Sequence, residues 1–360
     1  YLPHFGWNVE VLTIHPKHYG NRVSEFDTAP PQDRCRTIRY IAPRLARIPV
    51  LVKLLYPIIA LFISARQRKK IDAVYMSGSP FHPFLMTLVL TGVFRIPTVL
   101  DFRDSWSQND GFDGKKSSTV LAKIRRNLFS AFERLSIRFA SRIVFATSVL
   151  KDEYEAAFPS LKHKYQTIRN GFDQEDFNDV VPKRSFSKNT LILAGKFNTY
   201  TPEAVGQLMS CLQNLEDVCF VYVGEEAEII RQRATEAGVG NRVEAIPYQP
   251  YAEVLRLIAG ADVALMTNGM KNGLGTKIFD YLALGKPTIC LVPRDSVVSR
   301  EFGHGANVFI SEAPHSTQEI SGLLLRAFRQ SNNGSVGSIS KFTRSRSAQT
   351  LGRVLDEIRQ

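Results

Sequence analysis

The stretch NGLGTKIFDYLALGKPTICLV, running from Asn272 to Val292, decides the architecture. Gly273 and Gly275 flank Leu274 and permit a tight turn with close backbone approach. Thr276 follows where a helix N-cap is expected. The free N–H groups and positive dipole end of such a helix suit a diphosphate. Lys277 falls in the first turn and Asp280, three residues on, shares its face, so a cation for phosphate and a carboxylate for ribose hydroxyls project from one helix end. Gly285 and Pro287 stop the helix, and the apolar run to Val292 reads as a buried strand. Taken alone, the loop reads first as an ordinary capped helix with a surface ion pair.

The same alternation of helix and β-branched run extends in both directions. Downstream of Asn189, strands are expected at Thr190–Ala194, Val218–Val223, Arg242–Ile246, Ala261–Met266, Pro287–Val292 and Ala306–Ile310. Upstream they are expected at Asn8–Ile14, Ile71–Ser77, Pro97–Asp101 and Arg142–Ser148, with a long helix over Ser117–Ala140. Such alternation signals parallel strands joined by crossover helices, whose ligands bind at the strands' carboxyl ends. The fold class is therefore α/β, with two Rossmann-like domains facing each other across a cleft. The first spans residues 1–173 and the second 189–343. A polar linker over 174–188 joins them, and a last helix in 344–360 is expected to cross back to the first domain. The Asn-, Gly- and Ser-rich stretch from Gln330 to Ser340 reads as mobile. The opening YLPHFGWNVEVLTI resembles a helix end running into a strand, so the chain is expected to be a fragment lacking its first strand.

Composition sets bounds. At 360 residues the chain exceeds one ordinary domain, and 44% hydrophobic with 22% charged residues is the balance of a folded protein. Cys35, Cys211, Cys219 and Cys290 are scattered without a C-x2-C pair, which favours buried thiols over a disulfide or zinc framework. The seven histidines likewise lack metal-ligand spacing. Neither G-x-G-x-x-G nor G-x4-G-K-[ST] is present, so dehydrogenase and P-loop chemistry find no support. The net charge of +12 predicts an anionic partner. Ten Lys or Arg residues and no acid lie between Arg34 and Lys70, around an apolar run from Ile48 to Ala65 that two prolines and Lys53 interrupt. That run is too short to span a bilayer and reads as an interfacial or core helix. Nucleic acid is the bland partner for such charge, yet no reader motif accompanies it.

FDYLALGKP, with the loop before it, resembles glycosyltransferase family 4 and its GT-B relatives. The resemblance places Asp280 at the second Glu of the family's E-x7-E pair and Asn272 at the first. It implies that Asp280 holds the donor ribose and that Asn272 faces the donor sugar and takes part in catalysis. Gly273, Leu274, Gly275, Thr276 and Lys277 complete this donor loop. In LILAGKFNTYTPEAVGQLM, Gly195-Lys196 stands where relatives carry Gly-Arg, and Thr201 where a later Lys is usual. Lys196 then keeps the phosphate charge as a point cation without Arg's fork, and Lys277 supplies the second. The competing reading of Lys196 is a solvated loop lysine.

TVLDFRDSW, preceded by SGSPFHPF, is similar to a subgroup whose members build bacterial surface polysaccharides. Asp101 and Asp104 become catalytic candidates that orient or deprotonate the acceptor hydroxyl, with Arg103 and His82 on the acceptor side. An Asp–Arg pair that merely pins a loop explains the same residues. FATSVLKDEYEAAFP and TIRNGFDQEDF continue the family order, Asn170-Gly171 reading as a turn at the domain crossover. The resemblance implies a retaining transfer from a UDP- or GDP-sugar, with no metal and no further cofactor, helix dipole and lysines taking the cation's place. Together with the basic stretch it implies a lipid-linked glycan acceptor. The enzyme would then be cytoplasmic and peripheral on an anionic inner membrane face. A non-catalytic GT-B binding subunit is the alternative, since both acids of E-x7-E are altered. A sugar-nucleotide 2-epimerase is less favoured, because its Asp-Ser-Gly-Gly segment is missing.

Overall fold

The computed structural model describes residues 1–14, 37–41, 49–78, 80–106, 120–303, 305, 307–331 and 339–359. Cys35, four arginines of the basic stretch (Arg34, Arg36, Arg44, Arg47) and the centre of the Asn/Gly/Ser-rich segment lie outside them. The chain divides into two compact units, one made of Tyr1–Arg169 with Ser345–Gln360, the other of Asn170–Arg344.

In the first unit β1 (Glu10–Ile14) pairs in parallel with β2 (Thr37–Ile41), and α1 (Pro49–Gln67) follows. Then come β3 (Val74–Gly78), α2 (Thr87–Leu90), β4 (Thr98–Phe102), α3 (Val120–Phe139), β5 (Arg142–Phe145), α4 (Ser148–Ala157) and β6 (Tyr165–Thr167). β3 to β6 form a four-stranded parallel sheet in sequence order. All five residues of β4 are buried, as expected of a central strand covered on both faces. Phe84, Phe102, Phe145 and Tyr154 pack ring to ring beneath it, with Phe102 and Phe145 centroids 5.6 Å apart. The Thr147 side chain caps α4 by accepting from the Leu150 N–H.

The apolar run of the basic stretch is α1. Its Pro57, Ala60 and Ser64 face inward, while Ile58, Phe62 and Arg66, four residues apart, face out with the Arg66 guanidinium 4.2 Å over the Phe62 ring. Among the described residues no helix is long and apolar enough to cross a membrane. α3 is two-faced in the same manner: Glu133 and Ile137 are fully buried, and Ile124, Leu128 and Phe132 are exposed among Lys123, Arg126, Arg134 and Arg138.

The second unit runs β7 (Asn189–Ala194), α5 (Pro202–Asn214), β8 (Val218–Val223), α6 (Ala227–Glu236), β9 (Val243–Ile246), α7 (Tyr251–Gly260), β10 (Val263–Thr267), α8 (Lys277–Ala283), β11 (Thr288–Val292), α9 (Val297–Phe302), β12 (Val308–Glu312) and α10 (Thr317–Ser331). Its six parallel strands lie in the order β12-β11-β10-β7-β8-β9. Every residue of β8, β10 and β11 is buried. Each large side chain there, Phe220 for example, contributes about 1.5–3 kcal/mol by leaving water. The strand order reverses between β7 and β10: β8 and β9 build outward on one side, β10 to β12 on the other. That is a topological switch point, the place where open α/β sheets bind their ligands.

Residues 174–188 belong to the second unit instead of linking two, because Lys183 N–H donates to the Arg256 carbonyl at 2.8 Å and Arg184 pairs with Asp262 at 2.8 Å. The crossing itself falls at Asn170. There Gly171 lies so close to the Phe342 carbonyl that an added Cβ would stand 2.0 Å from its oxygen, so only glycine fits. The last helix, α11 (Arg344–Ile358), sets Val354 and Leu355 among Val99, Val144 and Ile168 of the first unit.

Candidate functional site

The loops after β7 and β10 flank the switch point of the second unit. Gly195 leaves β7 at φ +135, a conformation reserved for glycine, and Lys196 beside it is exposed. The Thr267 hydroxyl at the end of β10 donates to the Lys196 carbonyl at 2.6 Å, tying the two loops together. Buried Asn268 then shapes the second loop: its side-chain oxygen accepts from Met270 N–H at 3.0 Å and its amide donates to the Gly273 carbonyl. Asn272, Gly273, Leu274 and Gly275 follow, all partly exposed. Neither Gly273 nor Gly275 occupies the left-handed region. Their use is space, since a Cβ on either would come within 2.9 Å of the end of a methionine side chain, Met270 or Met266.

Thr276 does not cap α8 through its side chain. Its backbone is already helical (φ −66, ψ −22), whereas a capping hydroxyl needs the extended conformation to reach the N–H groups ahead of it. The face-sharing of Lys277 and Asp280 holds. The Lys277 ammonium lies 3.1 Å from Asp280 Oδ2, and the Tyr251 hydroxyl, from the start of α7, donates to Oδ1 at 3.0 Å. Lys277 also sits 4.8 Å over the Tyr251 ring, a cation–π contact. Burial, and then the adjacent Asp280 carboxylate, push the Tyr251 hydroxyl pKa well up, so it stays a donor at neutral pH. The carboxylate has about four lone-pair positions, of which these two contacts use two. The Asp280 side chain is 10% exposed.

At the end of β4 in the first unit the charges turn inward. Asp101 is 1% exposed, and its Oδ2 accepts from Arg103 Nε at 2.6 Å, from Ser77 at 3.1 Å and from the Tyr75 hydroxyl. Arg103 further donates to the Tyr75 oxygen at 3.3 Å and to the Ile168 carbonyl at 3.4 Å. These bonds join β3, β4 and the segment after β6. Asp104 is exposed and His82, opening a short 3-10 turn, is half-buried. Among the described residues no group of three His, Cys, Asp or Glu is placed to hold a metal ion.

The structure thus brings Gly195, Lys196 and the Asn272–Asp280 loop to one sheet edge of the second unit, and Asp101, Arg103 and Asp104 to the end of one strand of the first. Tyr251, Thr267, Asn268 and Glu226, which organise the former, carried no signal in the sequence. Residues 1–171 match the family model described as glycosyl transferase 4-like domain, and residues 181–334 that described as glycosyl transferases group 1. The chain is a glycosyltransferase of the GT-B class. Curated proteins contain no sequence match to this glycosyltransferase. Among solved structures it is similar to Anabaena Alr3699/HepE in complex with UDP, with a TM-score of 0.64 at 14% identity over 98% of this chain and 100% of that one. WaaG, a glycosyltransferase involved in lipopolysaccharide biosynthesis, gives 0.60 at 12% identity over 98% and 92%. The lipopolysaccharide outer core galactosyltransferase WaaB gives 0.59 at 14% over 97% and 99%. At these identities the likeness of the glycosyltransferase to each is one of fold.

Proposed function

We propose that this glycosyltransferase moves a sugar from a nucleoside diphosphate sugar, UDP- or GDP-linked, to a lipid-linked glycan in surface polysaccharide or cell-envelope biosynthesis, with retention of configuration. The reading is supported by exposed Lys196 and the Lys277–Asp280 pair standing after the carboxyl ends of the adjacent strands β7 and β10, whose loops Thr267 joins by its bond to the Lys196 carbonyl. Lys196 and Lys277 would neutralise the diphosphate as it leaves, where charge develops in the transition state. Asp280 would accept from the ribose and Asn272 would face the transferred sugar. The UDP and UDP-glucose complexes of HepE support a uridine nucleotide as the first candidate. Asp104, exposed at the end of β4, is the better placed of the two carboxylates to meet an acceptor hydroxyl, and Arg103 and His82 stand on that side. Thermal shift against a panel of nucleotide sugars tests the donor, because a ligand at 100 times its Kd adds about 2.7 kcal/mol. Sugar release to a lipid-linked acceptor then tests transfer. A panel with no shift above that of inorganic diphosphate sinks the reading.

A membrane-facing acceptor side is supported by the outer faces of α1 and α3, which pair exposed Ile58, Phe62, Ile124, Leu128 and Phe132 with exposed lysines and arginines. Each basic residue near an anionic surface contributes about 1 kcal/mol. Sedimentation with liposomes should require anionic lipid, weaken as salt rises and drop when Arg66, Arg68, Lys69 and Lys70 are neutralised. Equal binding to neutral lipid, or none to either, removes the membrane from the proposal.

A further inference from the structure

The loop that presents Lys196 is held by a single carboxylate on another element. After Gly195 the chain arcs through Phe197, Asn198 and Thr199, and three successive backbone N–H groups turn toward Glu226. Phe197 and Asn198 donate to Oε2 at 2.6 and 2.8 Å, and Thr199 N–H donates to Oε1 at 2.8 Å. The Thr199 hydroxyl adds a fourth, charge-assisted bond to Oε1. A crown of consecutive N–H groups is an anion receptor, and here the chain fills it with its own carboxylate. Glu226 is 8% exposed. Burial alone would raise its pKa, but the Thr199 hydroxyl and the three N–H donors lower it on balance.

Both ends of the arc are fixed to the same place. Glu226 N–H donates to the Tyr222 oxygen at 3.1 Å, and the Tyr222 hydroxyl donates to the Gly195 carbonyl at 2.6 Å. Thr267 grips the Lys196 carbonyl from the β10 side. Every hydrogen bond of the Glu226 carboxylate therefore goes to the residues just after Lys196. Ordinary surface acids in this unit, such as Glu253 or Glu228, instead pair with Lys or Arg.

We infer that Glu226 is a positioning residue: its carboxylate holds the Gly195–Thr199 arc in one shape, so that Lys196 meets the donor diphosphate without reordering the loop. The inference rests on the reading of Lys196 as a phosphate-contacting residue. Preorganisation of this kind shows as affinity, since a loop that must order on binding loses part of the gross interaction. Glu226→Gln keeps the volume but turns an N–H2 group toward N–H donors. It should weaken UDP or GDP binding roughly tenfold. Combined with Lys196→Ala it should add little further loss, because both changes remove the same contact. Thr199→Val deletes only the hydroxyl bond and should weaken binding roughly threefold, again without adding to Lys196→Ala. It serves where Glu226→Gln does not fold.

The measurement is calorimetric titration of UDP and of GDP into the folded single and double variants, well below their melting temperatures. If Lys196→Ala leaves nucleotide affinity unchanged, the donor reading itself falls. If Lys196→Ala weakens binding while Glu226→Gln and Thr199→Val do not, or if the effects add in full, the donor reading stands. Glu226 is then a purely structural latch and the inference is overturned.

Discussion

The ends of β4 and of β7 with β10 carry comparable numbers of charged side chains, arranged in opposite senses. At β4 the carboxylate of Asp101 is sealed, its side chain 2% exposed; its Oδ2 is taken by Arg103, Tyr75 and Ser77 while Oδ1 is buried without a hydrogen-bond partner. At β7 and β10 the structural duties fall to groups set back from the edge, Glu226, Thr267 and Asn268, and the lysine in front is left exposed. The contrast teaches how to tell a charge that holds a loop from one that awaits a ligand. The first spends its lone pairs or protons on neighbours in its own sheet; the second is released because some other residue has taken that task. On the proposed reading Asp101 is of the first kind and Lys196 of the second, with the Lys277–Asp280 pair between them.

Asp101→Ala offers the largest test. It strands Arg103 beside an empty acceptor site, and breaking a buried pair costs about 3–5 kcal/mol, reduced here to about 2–4 because the Arg103 side chain is 28% exposed. Urea unfolding should show that loss while nucleotide affinity of the folded fraction is unchanged. Full stability with abolished transfer would instead make Asp101 catalytic and dissolve the contrast. Next in size are Lys196→Ala and Lys277→Ala, each expected to weaken nucleotide binding by about 1.5–3 kcal/mol with a normal melting temperature. Lys277→Ala should lose slightly less, since Tyr251 still holds Asp280. Asp280→Ala should then cost about 1–2 kcal/mol of nucleotide affinity, and more than Asn272→Ala, which should alter sugar preference instead. The reverse order would place the two residues in exchanged roles.

The smallest effect is one of pH. The pKa of Glu226 in the folded protein lies below its ordinary value, so its contribution is complete above the unfolded carboxylate pKa of about 4.3 and is lost as pH falls toward the folded value. Wild-type stability should therefore decline more steeply below about pH 4.3 than that of Glu226→Gln. Parallel acid limbs in the two proteins would show that the N–H crown does not hold a charged group.

The sequence made most strands legible because buried parallel strands read as continuous apolar runs: Val218–Val223 was located to the residue, and the ends of the others to within three residues. Thr37–Ile41 escaped because Arg39 breaks its apolar pattern inside a basic stretch, and Tyr165–Thr167 because three residues with Gln and Thr give no period. In the site, Lys277 and Asp280 were readable together because their spacing is helical. Tyr251 reaches Asp280 across 29 residues and Thr267 reaches Lys196 across 71, so no local spacing announces them. The second contact follows from the strand order, which sets β10 beside β7.

The return of α11 to the first unit carries a consequence for how the chain comes off the ribosome. Val354 and Leu355, 1% and 4% exposed, close a core whose other members include Val99 and Val144. The first unit is thus completed only after the whole of Asn170–Arg344 has been translated. At roughly 5–20 residues per second that interval is about 10–35 s. Throughout it the nascent unit bears an open apolar seat on β4 and β5, which only α11 closes.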